Sequence, residues 1–79
     1  MSARESWQES VRELNDARRM LRTAQTTERL TTRQFADGRA DFETLREAIR
    51  HVAVSEVYVT NFEAIELNMR RIAGEGHKS

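Results

Sequence analysis

The feature that most constrains this chain is Gly38, the only glycine before Gly74 in a sequence without proline. Glycine can adopt the left-handed conformation that ends a helix, because it has no Cβ to clash with the backbone. Three residues later, Asp41 can cap a second helix by accepting a hydrogen bond from the backbone N–H of Glu43 or Thr44. These signals predict two long helices folded back on each other, which is an all-α helical hairpin.

The turn is predicted at residues 37–41, and it divides the chain into two helices of nearly equal length. Helix 1 is predicted over about residues 5–36 and helix 2 over about residues 42–73. Residues 74–79 then form a tail, and the whole chain is one domain. Because the connection is short, the helices should run antiparallel and pack like a coiled coil.

Apolar residues of helix 1 recur every three or four positions, as they do on the contact face of a coiled-coil helix. Ser2 or Ser6 can cap this helix at its start. Ala17 and Ala24 share the pattern and would allow a partner helix to approach closely. The large side chains of this seam are Trp7, Val11, Leu14 and Leu21.

Helix 2 carries apolar residues on more than one face, which is typical of a helix that packs against two neighbours. Its seven-residue repeat slips between Val52 and Tyr58, where Ser55 and Glu56 occupy the seam. Such a slip is expected to change the supercoil locally. The seam predicted for this helix consists of Ile49, Val52, Tyr58, Phe62, Ile65, Met69 and Ile72.

A hairpin of 79 residues without cysteine is expected to need a partner, since its core is small and no disulfide can support it. We therefore expect a homo-oligomer, or a place within a larger parent assembly, and interpret the seam residues of both helices as oligomer contacts. The 13 basic and 13 acidic side chains cancel. Long-range attraction to nucleic acid or to an anionic membrane is therefore not the default expectation.

The N-terminal residues contain no apolar segment of the kind found in a signal peptide. The longest apolar run is the three residues Val52-Ala53-Val54, which is far too short to cross a membrane. The chain as written is therefore expected to be cytoplasmic and not to insert into a membrane by itself.

The residues around the turn form a motif of an aromatic residue, a glycine, an acidic cap and apolar positions in a fixed order. Its members are Phe35, Gly38, Asp41, Phe42, Leu45, Ala48 and the later pair Ser55-Glu56. This motif resembles the one at the periplasmic end of a helical hairpin in the outer-membrane efflux protein (TolC-like) family. The resemblance covers about residues 15–74. Gln34 and Arg46 depart from it, because the family has arginine and leucine at these positions.

The resemblance implies that this chain is one hairpin of an efflux protein, or a stand-alone relative of one. In that family three protomers build a long α-helical tunnel below a β-barrel, and the hairpin tips meet a periplasmic adaptor protein. A fragment of such a parent would be located in the periplasm and outer membrane and would serve efflux transport. Carried over to this sequence, the docking tip and the residues that brace it are Phe35, Gly38, Arg39, Ala40, Asp41 and Leu45.

Four arginines on one face of helix 1 support an alternative function, the binding of nucleic acid by a small helical module. Their spacing keeps the side chains at nearly the same angle around the helix, and a line of arginines can follow a phosphate backbone. The competing interpretation is a solvent-exposed face that pairs with glutamates of helix 2 or of a neighbouring subunit. The four residues are Arg18, Arg22, Arg29 and Arg33.

No set of residues in the sequence indicates catalysis or a cofactor. Glu47 and His51 lie one turn apart, a spacing that could hold a metal, but no third strong ligand shares their face. General acid–base chemistry needs titratable groups that converge in a pocket, and a two-helix hairpin offers no pocket of its own. The sequence therefore predicts a non-enzymatic protein without a metal site, cofactor or small-molecule substrate.

Overall fold

The computed structural model of the chain consists of two long helices, α1 over Ala3–Ala36 and α2 over Phe42–Lys78. It describes residues 2–78, with side chains described as far as Gly74. The two helices run antiparallel, lie against each other and give a rod of 62 × 16 × 13 Å. The prediction of an all-α helical hairpin is therefore confirmed.

The start of α1 lies slightly earlier than the sequence pattern predicted, at Ala3. Ser2 is the N-cap, and its Oγ accepts a hydrogen bond from the backbone N–H of Glu5 at 3.1 Å. Ser6, the other predicted cap, lies inside the helix, where its backbone N–H donates to the carbonyl of Ser2 at 3.0 Å. One side-chain oxygen thus satisfies a backbone donor that has no partner within the helix.

The end of α2 differs from the predicted one, because the helix continues through Gly74 as far as Lys78. The predicted tail over residues 74–79 is therefore wrong where the structure describes it, and Ser79 lies outside the described residues. A glycine lowers the stability of a helix by about 1 kcal/mol relative to alanine but does not break it. Gly74 is exposed and lines one surface groove with Trp7 of α1, whereas its neighbour Ala73 is half-buried.

The core of the hairpin is an inner seam whose α1 members follow the seven-residue repeat of a coiled coil. Small residues occupy one position of every repeat, and Ala17 and Ala24 are almost fully buried. Small side chains let two helices approach closely. Van der Waals contacts between closely packed backbones and small side chains therefore stabilise this seam more than the burial of large apolar side chains does. The α1 members of the inner seam are Trp7, Ser10, Leu14, Ala17, Leu21, Ala24, Glu28 and Thr31.

On α2 the inner seam follows the same repeat, and the slip expected between Val52 and Tyr58 is wrong. Ser55 is itself a seam residue with 0% exposure, and the repeat continues to Val59. Tyr58 belongs to a different face of the helix, so counting it into the seam shifts the apparent pattern by one residue. The α2 members of the inner seam are Leu45, Ala48, Val52, Ser55, Val59, Phe62, Glu66, Met69 and Ala73.

The serine hydroxyl groups buried in the inner seam are satisfied within their own helices. Ser10 Oγ donates to the backbone carbonyl of Trp7 at 2.6 Å, and Ser55 Oγ donates to that of His51 at 2.8 Å. A serine that bonds to the preceding turn leaves no unpaired polar group, so it can occupy a tight helix contact as alanine does. The indole Nε1 of Trp7 differs, because it is buried without an acceptor among the described residues.

Candidate interaction surfaces

The tip of the hairpin is closed by backbone hydrogen bonds around Gly38. The N–H of Gly38 donates to the carbonyl of Phe35 at 3.1 Å, and the N–H of Arg39 donates to that of Gln34 at 2.7 Å. This pair of bonds is the Schellman arrangement, which ends a helix with a left-handed residue. Gly38 supplies that residue with a φ of +75°, and a Cβ built there would meet no atom within 4 Å. The backbone conformation alone therefore favours glycine at this position.

Asp41 caps the start of α2. Its Oδ1 accepts hydrogen bonds from the backbone N–H and from the Oγ1 hydroxyl of Thr44, both at 2.8 Å. The predicted capping role of Asp41 is thus confirmed, with Thr44 rather than Glu43 as its partner. The backbone hydrogen bond from Thr44 is the main cause that lowers the pKa of Asp41 below the ordinary 3.8. The cap is therefore formed by the ionised carboxylate.

An aromatic pair joins the two helices directly behind the turn. The ring centroids of Phe35 and Phe42 lie 6.4 Å apart with an angle of 62° between the planes, an edge-to-face contact. Both rings keep a large exposed surface, whereas Leu45 is half-buried in the inner seam. Arg39 is exposed and Ala40 is half-buried. The tip therefore combines a rigid backbone turn with exposed apolar and cationic groups.

A second line of residues on α2, the outer seam, faces solvent with the spacing of a coiled-coil contact face. Its steps alternate between four and three residues over positions 54–72. Tyr58, Ile65 and Ile72 are 46%, 42% and 48% exposed, and they recur at intervals of seven residues. No charged side chain interrupts the line. The outer seam consists of Val54, Tyr58, Asn61, Ile65, Asn68 and Ile72.

The outer seam borders apolar surface of α1. Tyr58 stacks on Phe62 of the inner seam with 6.5 Å between the ring centroids. Both rings line a shallow groove with the exposed side chain of Met20. Glu13 and Asp16 stand on the α1 side of the same groove. This edge of the hairpin therefore offers a continuous apolar surface with an acidic border.

The opposite edge of the hairpin is charged. Arg18 of α1 and Glu63 of α2 form the one ion pair that joins the two helices within the described residues, at 3.4 Å. Because both side chains are about half exposed, the pair contributes only about 0–1 kcal/mol to stability. Glu66 and Arg70 form a further pair on this edge, also at 3.4 Å. The ion pairs Arg18–Glu63 and Glu66–Arg70 thus lie on the edge away from the outer seam, although Leu67 is also exposed there.

The structure divides the predicted oligomer seam between different surfaces. The members that pack between the helices of one chain are Trp7, Leu14, Leu21, Val52, Phe62 and Met69. The members that lie on the outer seam are Tyr58, Ile65 and Ile72. Ile49 shares its position in the seven-residue repeat with Glu63, and Val11 lines the groove beside Glu63, so both lie toward the charged edge.

Sequence reasoning did not assign Val54 to a seam, and it missed the two polar members of the outer seam, Asn61 and Asn68. Neither carries the apolar side chain by which seam positions are usually recognised. The signal that could have found them is spacing, because each lies midway along a seven-residue interval between apolar members of the seam. Both asparagines are exposed, and they are seven residues apart on the same line.

The arginines considered for nucleic-acid binding have mixed surroundings. Arg18 is engaged in the ion pair of the charged edge. Arg22, Arg29 and Arg33 are exposed and form no ion pair within the part of the chain that the structure describes. Glu28 shares a shallow groove with Arg29 and Arg33, so an acidic group interrupts the basic surface. Arg33 also lies in the last turn of α1, where a cation is favourable.

Glu47 and His51 line an open groove whose α1 side is formed by Thr27 and Thr31. Among the described residues, no group of three or more His, Cys, Asp or Glu side chains is placed to hold a metal ion. Neither described helix combines the length and the apolar character needed to cross a membrane.

Comparison of the chain with protein-family models, curated proteins and solved structures finds no match. The likeness to the efflux-protein hairpin therefore depends on the residues of the tip motif alone. The surfaces that can be argued from geometry are the tip around Gly38 and the outer seam of α2.

Proposed function

We propose that this chain is a non-enzymatic interaction protein whose hairpin self-assembles, or completes a larger helical assembly, through the outer seam of α2. The observation that carries this proposal is the outer seam itself, which no other part of the described chain covers. Coiled-coil spacing on a solvent-facing side is the pattern of a helix that packs against a second neighbour. An uncharged line of this length, with four apolar members among its six, is unusual on the free surface of a small protein.

The size of the core supports the same proposal. Among the residues whose side chains the structure describes, five apolar ones are buried, and three of them are alanines. The chain exposes 6093 Å², whereas a compact monomer of 9.2 kDa exposes about 4,900 Å². Its radius of gyration is 17.7 Å, against about 12 Å for a compact domain of the same length. A hairpin with so small a core gains stability from association.

The tip is proposed as a second contact surface, at which an adaptor-type partner docks. Gly38 and Arg39 are exposed at the end of the rod, and Phe35 and Phe42 keep apolar surface beside them. The resemblance of this turn to the efflux-protein hairpin supports a place in an efflux-type helical tunnel. In that case the parent assembly belongs to the periplasm and outer membrane.

Binding of nucleic acid through the basic face of α1 is the alternative, and it has less support. Arg18 pairs with Glu63, and Glu28 stands between the remaining arginines. The net charge of the chain is +0, so no overall field attracts a polyanion. An arginine-dependent affinity for duplex that falls steeply with salt concentration would favour this alternative.

The proposed self-assembly is tested by the absolute mass of the full chain, measured by size-exclusion light scattering over a hundredfold range of concentration. We expect a whole multiple of 9.2 kDa at high concentration and a decrease toward the monomer on dilution. Circular dichroism of the same samples reports whether the helices are formed. A fully helical chain that keeps the monomer mass at every concentration would refute self-assembly.

A further inference from the structure

We propose that the outer seam pairs with the outer seam of a second copy of this chain, so that two hairpins form a symmetric dimer through α2. This inference rests on the proposed self-assembly and names both its partner and its contact surface. A two-fold dimer presents the same patch from both subunits, so a patch that serves this role must be complementary to itself.

The position of the outer seam around α2 suits a second helical neighbour. Each of its members directly precedes a member of the inner seam, as Tyr58 precedes Val59 and Ile65 precedes Glu66. Successive residues of an α-helix are about 100° apart around the axis. Viewed down the axis of α2, a helix that packs on the outer seam therefore lies about 100° away from α1. Both helices can then contact α2 at the same time.

Among the described faces on this edge of the hairpin, α2 matches the outer seam better than α1 does. The neighbouring face of α1 carries the apolar Met20, but Glu13, Asp16, Thr23 and Thr27 lie on the same face and would set polar groups against the isoleucines of a second copy. Pairing of α2 with α2 instead sets apolar side chains against apolar side chains. The second copy is therefore expected to dock through the same helix.

The two asparagines favour a second copy over an unrelated apolar helix. Asn61 and Asn68 are seven residues apart on the outer seam, and an apolar partner would bury their amides without hydrogen-bond partners. A second copy supplies amides at the same spacing. Asn61 can then face Asn61 in a parallel pair, or Asn68 in an antiparallel pair, and both amides are satisfied. Asparagine in a coiled-coil seam is a known determinant of pairing specificity.

Surface area and charge agree with a second copy as the occupant. The exposed area of 6093 Å² exceeds that of a compact monomer by about 1,200 Å², and a standard interface removes about 800 Å² from each partner. The net charge of +0 means that two copies do not repel each other at long range. Neither the exposed area nor the net charge requires a partner other than a second copy of this chain.

The first test uses Ile65→Asp, with Leu67→Asp as its matched control. Ile65 and Leu67 are 42% and 47% exposed, but Leu67 lies on the charged edge. We expect Ile65→Asp to raise the dimer dissociation constant more than about 30-fold, the effect of a hot-spot residue, because each dimer would bury two unpaired carboxylates. Leu67→Asp should change it by less than about threefold.

The second test uses cysteine cross-linking, which does not depend on a destabilising substitution. The described chain contains no cysteine, so single substitutions report one position at a time. In a parallel pair, Ile65 faces Ile65 of the second copy. In an antiparallel pair with Asn61 opposite Asn68, the two Ile65 residues lie next to each other near the two-fold axis. With diamide as oxidant, Ile65→Cys should form a disulfide-linked dimer readily, because the two Cα atoms approach to roughly 6 Å, and Leu67→Cys should not.

The outcomes separate this inference from the proposed self-assembly. A monomer at every concentration refutes both. An assembly that tolerates Ile65→Asp, or in which Leu67→Cys cross-links as readily as Ile65→Cys, refutes the outer-seam dimer and leaves self-assembly through another face. A trimer or larger ring would also refute the outer-seam dimer, because two-fold pairing through a single seam produces an assembly of two chains only.

Discussion

At the scale of single residues, the hairpin depends on one backbone conformation at Gly38. Its φ of +75° strains any residue with a Cβ, although no neighbouring atom would clash with that carbon. We expect Gly38→Val to destabilise the hairpin by about 1–2 kcal/mol. Urea unfolding at a fixed protein concentration measures this change as a lower midpoint with an unaltered slope.

Gly38→Asn is the control for this prediction, because asparagine tolerates the left-handed region better than a β-branched residue does. It should lose less stability than Gly38→Val. If both variants unfold at the midpoint of the unaltered chain, the turn in solution does not hold residue 38 at positive φ. A loss from Gly38→Asn that equals the loss from Gly38→Val would instead show that the space around the turn, and not its φ, is limiting.

At the scale of elements, the helices and the turn could be predicted because their signals are local. Gly38 and Asp41 punctuate a chain that has no proline, and the structure places its helix ends next to them. The end of α2 was mispredicted because a glycine weakens a helix without ending it. Gly74 lines the same surface groove as Trp7 of α1, a long-range neighbourhood that no local pattern reveals.

The faces of α2 were harder to predict than its existence. Seam prediction selects large apolar side chains, but a closely packed antiparallel pair buries small ones. Ser55 has 0% exposure, whereas Tyr58 and Ile65 are exposed. The size of a side chain therefore does not indicate its burial along this helix. The tip could be predicted from local capping chemistry, whereas the outer seam required knowing first which residues α1 already covers.

The inner seam leads to a prediction about volume. Ala24 is 1% exposed, and a larger side chain there would push α1 and α2 apart. We expect Ala24→Leu to destabilise the hairpin by about 1–3 kcal/mol despite the good helix propensity of leucine. Thermal unfolding followed by circular dichroism measures the effect.

Thr23→Leu is the control for Ala24→Leu, because Thr23 is exposed and lies next to it in sequence. The control should keep or raise the stability of the helix, since leucine is the better helix former. If Ala24→Leu lowers the thermal midpoint no more than Thr23→Leu does, the two helices do not make the proposed close contact at Ala24.

At the scale of the whole molecule, the hairpin combines a small core with a large surface. Leu14 is the largest buried apolar side chain within the described part of the chain, and the rod measures 62 × 16 × 13 Å. Two-helix units of this size are marginal by themselves. The inner seam fixes how the helices pair, and association through the outer seam supplies apolar burial that the single chain lacks. Folding and assembly are therefore expected to be coupled.

This coupling predicts that the thermal midpoint of the full chain rises with its concentration. Each tenfold increase stabilises the assembled state by about 1.4 kcal/mol, because only the folded chain associates. Circular dichroism over a hundredfold range of concentration measures the shift. Ile65→Asp should melt at a lower temperature that does not depend on concentration, whereas Leu67→Asp should keep the dependence. A midpoint of the unaltered chain that is the same at all concentrations would show that the inner seam alone is sufficient to fold the hairpin.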